Sequence, residues 1–62
     1  SQSLKVVYEY NLRLQSIWQN KTASQEQLIQ SLKEWCTHAE QTGISALAEF
    51  AETIRGYRLQ EV

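Results

Sequence analysis

Four consecutive residues, Thr42-Gly43-Ile44-Ser45, constrain this chain more than any others. Gly43 can adopt the left-handed conformation that closes a helix, with Ile44 folding back toward Ala39 in a Schellman-type stop. Ser45 then stands where a helix N-cap belongs. A stop and a start within four residues leave no room for an extended connection, so the helices on either side must turn sharply against each other. A second corner lies upstream at Lys21-Thr22-Ala23-Ser24. Ser24 followed by Gln27 reads as a capping box, Ala23 and Leu28 sit where a hydrophobic staple would, and Glu26 suits the positive end of the helix dipole.

Outside these corners the chain has no proline and only one further glycine, Gly56, and is rich in Leu, Ala, Gln and Glu, all compatible with helix. The expected fold is all-α, a small antiparallel three-helix bundle forming one domain over residues 1–62. Helices are expected at about 3–20, 25–42 and 46–55, with a tail at 57–62 that continues as helix, packs as coil or frays. The second helix carries the clearest stripe, Leu28, Leu32, Trp35, Cys36 and Ala39, and the third shows Leu47, Phe50, Ala51 and Ile54 on one face. The first helix is broader. Leu4, Val7, Leu14 and Trp18 define a seam, with Tyr10 and Ile17 on one flank and Tyr8 and Leu12 on the other. Such breadth fits either a helix wedged between two partners or one with a second face for an external contact.

Sixty-two residues close only a thin core, and the usual reinforcements of small domains are missing. Cys36 is the sole cysteine and His38 the sole histidine, too few for an internal disulfide or a four-ligand zinc site. Trp18 and Trp35 are therefore expected to anchor the core, each contributing about 1.5–3 kcal/mol or more through burial. Tyr8, Tyr10 and Tyr57 suit the rim. Asn11, near the seam of the first helix, either bonds a loop carbonyl or marks where that seam opens to solvent.

The same composition restricts function. Cys36 and His38, two apart on a helix, point to different faces and cannot act as a pair. Cys36 beside the apolar stripe reads as a small hydrophobe, and His38 as a solvated surface residue. Glu49 and Glu52 share a face, but acid–base chemistry needs a concave, water-poor setting that three short helices do not offer. With no phosphate-cradling loop and no Ser-His-Asp set, the expectation is no catalytic, cofactor-binding or metal-binding residue, and no enzyme in this chain. Six basic and seven acidic side chains, scattered along the sequence, disfavour nucleic acid as a partner. No apolar run approaches the ~20 residues that span a bilayer and no signal peptide is evident, so a cytoplasmic location is expected.

The motif order brings a family resemblance. Ser3-Leu4-Lys5-Val6-Val7-Tyr8, Trp18, Leu32-Lys33-Glu34-Trp35-Cys36, Ala39-Glu40-Gln41-Thr42-Gly43-Ile44, Ala46-Leu47 with Glu49-Phe50, and Ile54-Arg55-Gly56-Tyr57 together resemble the cytoplasmic C-terminal region of bacterial membrane-bound fatty acyl desaturases. Thr42 stands where that family commonly has serine. The resemblance implies an excised, non-catalytic tail domain of a lipid-metabolism oxidoreductase whose di-iron centre lies elsewhere. It implies tethering to the inner membrane's cytoplasmic face through that parent. Implied partners are the parent's catalytic domain, a second copy, or an acyl-carrier or electron-donor protein. The chain is also similar to helical segments of bacterial insertion-sequence transposases, which show a Trp, then Ala…Gly, then an aromatic and an Ile-Arg ending. Near-neutral charge and the Trp-Cys…Ala-Glu…Gly-Ile spacing favour the desaturase reading.

Overall fold

The computed structural model describes residues 2–57. Within them the chain forms α1 (Gln2–Gln19), α2 (Gln25–Gln41) and α3 (Ser45–Arg55), with no strand, which makes it a small all-α bundle. The bounds fall within a residue of those expected from the sequence. Of the tail, Tyr57 ends in an exposed turn, while 58–62 lie outside the described residues.

Both corners form where the sequence places them, and for local reasons. At Ser24 the capping box is complete: the Gln27 backbone N–H donates to Ser24 Oγ at 3.1 Å, and the Ser24 backbone N–H donates to Gln27 Oε1 at 3.0 Å. Just upstream, Asn20 Oδ1 accepts from both the backbone N–H and the hydroxyl of Thr22, at 3.1 and 2.7 Å, which sets the curvature of the α1–α2 connection. At the second corner Gly43 has φ +76°, the left-handed region that favours glycine.

Two details there differ from expectation. The Ile44 N–H goes to Thr42 Oγ1 at 3.2 Å, while the Thr42 hydroxyl donates to the Ala39 carbonyl at 2.7 Å. The threonine side chain thus relays the closure that a Schellman stop would make directly between Ile44 and Ala39. Ser45 is the first helical residue rather than the cap. Ile44 occupies the N-cap position in extended conformation, and its carbonyl accepts from Leu47 and Ala48. The Ile44 side chain packs against the core, so burial fixes the start of α3 where a capping hydroxyl otherwise would.

α2 is the central element. α3 packs along one side of it and α1 along another, while α1 scarcely touches α3. Small residues permit the α2–α3 approach: Cys36, Ala39 and Ala51 are fully buried, beside Leu47 and Ile54. Cys36 Sγ reaches the Ala51 carbonyl at 3.6 Å. The α1–α2 approach is organised by Trp35. Its indole N–H donates to the Tyr10 carbonyl at 2.9 Å, and its ring meets Tyr10 and Phe50 edge-on, with centroids 6.1 and 5.8 Å away. One side chain on α2 therefore ties together all three helices.

This arrangement sets the rotation of α1, which is not the one the sequence suggests. Leu14 is buried, and Val6, Val7, Tyr10 and Ile17 pack against the core around it. Leu4 and Trp18, placed in the seam by pattern alone, are 70% and 54% exposed. Trp18 is not a core anchor. A helix wedged between two partners would bury both flanks; among the described residues α1 packs on α2 and scarcely on α3, and Leu4, Tyr8, Leu12 and Trp18 on its other flank are exposed.

Candidate interaction surface

Two surface features flank the Trp35 anchor. The first is an open groove of about 540 Å³ between α1 and α2, lined by Leu12, Arg13, Ser16 and Ile17 on one side and by Ser31, Glu34, Trp35 and His38 on the other. Arg13 stacks over the Tyr10 ring at 5.0 Å from its centroid, and Glu34 accepts from Gln30 Nε2 at 3.1 Å. One guanidinium, one carboxylate, one imidazole and two hydroxyls line a shallow channel with little net charge. The second feature is the outer face of α1, where Leu4, Tyr8, Leu12 and Trp18 are exposed. Asn11 is half-buried beside it and makes no side-chain hydrogen bond to another described residue.

The structure separates the polar residues singled out in the sequence. Cys36 is buried and His38 is exposed at the groove. Burial pushes the Cys36 thiol up, outweighing the opposing pull of the Arg55 guanidinium, while Glu40 pushes it further up. A thiol held protonated in a sealed helix interface is a poor nucleophile. Glu9, Glu26, Glu34, Glu40, Glu49 and Glu52 are all exposed. Among the described residues no three His, Cys, Asp or Glu side chains gather as metal ligands would. No helix there is long and apolar enough to cross a membrane.

Sequence reasoning passed over one polar cluster. Arg55, at the end of α3, grips Glu40 on α2 with two hydrogen bonds, Nε to Oε2 at 2.9 Å and Nη2 to Oε1 at 3.1 Å, and reaches Thr37 Oγ1 at 3.2 Å. The hydrogen bond to Arg55 holds the Glu40 carboxyl below the usual carboxylate range, and the same bond raises the Arg55 guanidinium. Fifteen residues separate the pair, so no i, i+4 spacing announces it.

The described residues thus form an all-α element built on one aromatic anchor, with dispersed polar groups and an exposed apolar face on α1. Its family follows from comparison with known proteins. The family model DDE_Tnp_ISL3, described as Transposase, matches residues 1–60. The chain belongs to this transposase family. No curated protein and no solved structure matches it.

The family match overturns the desaturase resemblance. The lipid-metabolism role lapses with it, and so does the ground for a di-iron parent, an acyl-carrier or electron-donor partner and an inner-membrane tether. The misreading has a physical source. Trp35-Cys36, Ala39…Gly43-Ile44 and Phe50 are the residues that build the α2–corner–α3 hairpin: a tryptophan anchor, small residues for close approach, a left-handed glycine and an apolar cap. They encode a way of packing helices, which unrelated proteins can share, rather than a chemistry.

Proposed function

We propose that the chain is a non-catalytic helical subdomain of an insertion-sequence transposase, supporting DNA strand transfer by packing and protein–protein contact. One observation carries this: a transposase match over residues 1–60 of a chain that contains no aspartate. The letters DDE denote two aspartates and a glutamate, and metal-assisted phosphoryl transfer needs such carboxylates convergent on shared ions. This chain has only glutamates to offer, and the described ones are dispersed over exposed faces. The acids that hold the metal accordingly belong to polypeptide outside this chain. Its own part is to keep a tightly packed helical platform beside them, in the cytoplasm where the DNA is. Its basic residues are few and spread out, and Arg55 is engaged with Glu40, so phosphate contacts are not what it contributes.

The test has two arms. The isolated chain, incubated with duplex DNA and Mg²⁺ or Mn²⁺, should neither nick nor join strands. A transposase carrying this sequence should lose transposition when Leu47→Asp breaks the α2–α3 interface. Metal-dependent cleavage by the chain alone, abolished by Glu49→Gln or Glu52→Gln, would overturn the reading.

A further inference from the structure

We propose that the outer face of α1 is a self-association surface, on which a second copy of this chain docks with its own α1 antiparallel. Leu4, Tyr8, Asn11, Gln15 and Trp18 follow one another at alternating spacings of four and three, the spacing of a coiled-coil seam. This seam lies directly beside the face already used: Val7 and Leu14, its neighbours on one flank, pack toward α2. An incoming α1 would therefore extend the existing α1–α2 layer into a four-helix arrangement.

The order of residues along the seam is what makes a second copy the fitting occupant. A two-fold axis between Asn11 and Gln15 sets Tyr8 of each copy against Trp18 of the other. It sets Asn11 against Gln15, whose amides can exchange hydrogen bonds across the interface. Leu12 of the two copies flanks the axis, and Lys5 faces Gln19, so no like charges meet. Each contact then occurs twice, as an isologous interface requires. A polar pair at the centre of an otherwise aromatic seam also fixes register at some cost in affinity. The area is consistent with a weak dimer. Tyr8, Leu12 and Trp18 retain 64, 46 and 54% of their surface, on the order of 300 Å² together for large side chains of ~150–250 Å², while Leu4 falls opposite Thr22, beyond the end of the partner's α1. A standard stable interface takes ~800 Å² per partner.

Sedimentation equilibrium on the full 62-residue chain tests this, and the outcome is independent of the transposase reading, since it measures mass rather than strand transfer. From about 10 μM to about 1 mM the apparent mass should climb from 7.2 kDa toward twice that value. Tyr8→Glu and Trp18→Glu, both at exposed positions, should keep the helical circular dichroism and stay monomeric throughout. Asn11→Lys alone should also be monomeric, whereas Asn11→Lys combined with Gln15→Glu should dimerise again, because the lysine of each copy then meets the glutamate of the other. A wild-type chain monomeric at about 1 mM overturns the proposal, as would occupation of this face by another protein alone. So do dimers indifferent to the Tyr8 and Trp18 changes, or a double variant that fails to re-associate.

Discussion

Trp35 and Trp18 look equivalent in the sequence and should behave very differently when changed to phenylalanine. Trp35 is 4% exposed, and Trp35→Phe removes three things. The indole N–H bond to the Tyr10 carbonyl, 2.9 Å long, is lost. It contributes about 0.5–1.5 kcal/mol net, toward the lower end because that carbonyl lies within α1 and keeps its helical partner. The benzo ring leaves a void of roughly 40 Å³, which at ~24 cal/mol per Å³ is about 1 kcal/mol. The edge-on contacts with Tyr10 and Phe50 weaken as the ring shrinks. The sum is about 2 kcal/mol. At roughly 0.05–0.15 kcal/mol per residue the whole domain holds about 3–9 kcal/mol, so Trp35→Phe should stay folded with a visibly lower urea midpoint. Trp35→Ala, at about 3–5 kcal/mol, should lower the midpoint well beyond the phenylalanine variant. Trp18→Phe should cost under about 0.5 kcal/mol, as substitutions at open surface positions do. Urea titration followed by far-ultraviolet circular dichroism reads all three without relying on the tryptophan signal. Equal losses for the two phenylalanine variants, or a Trp35→Phe loss below about 0.5 kcal/mol, would refute the view that Trp35, and not Trp18, anchors α1 on α2.

Ser24→Ala should cost about 1 kcal/mol by urea titration through loss of the capping box, with the helix retained by its packing. Gly43→Ala should cost about 1–2 kcal/mol, and for conformational reasons only: φ is +76° but nothing lies within 4 Å of an added Cβ. Cys36 should resist a water-soluble disulfide reagent in the native state and react at once in denaturant, since its thiol is buried and held protonated; rapid native labelling would show that the α2–α3 interface opens. The Glu40–Arg55 pair should make stability acid-sensitive. Glu40's folded pKa is depressed, so its contribution is full above the unfolded value of about 4.3 and fades as pH falls through the lower folded value. Melting temperatures measured from pH 7 to pH 3 should show Glu40→Gln losing part of the wild-type acid dependence, and parallel curves would remove the pair from the account.

The two corners were legible because their causes are local. A capping box spans four residues, a left-handed glycine is set by its own backbone, and the α2 stripe of Leu28, Leu32, Trp35, Cys36 and Ala39 allows one buried face. The Arg55–Glu40 grip was not legible, since it joins side chains on different helices whose relative placement no spacing encodes.

The amino-acid order by itself determined that this protein is helical, where it reverses direction, and which face of α2 goes inward, since each follows from backbone preferences and short-range periodicity. The tertiary structure decided the rotation of α1. That helix carries apolar residues around more of its circumference than one partner can cover, and burying either flank satisfies its pattern. The choice falls to the other side of the interface, where Trp35 needs an acceptor and an edge-on ring and finds both at Tyr10. Turning Tyr10, Leu14 and Ile17 inward for Trp35 necessarily turns Trp18, Leu4 and Tyr8 outward.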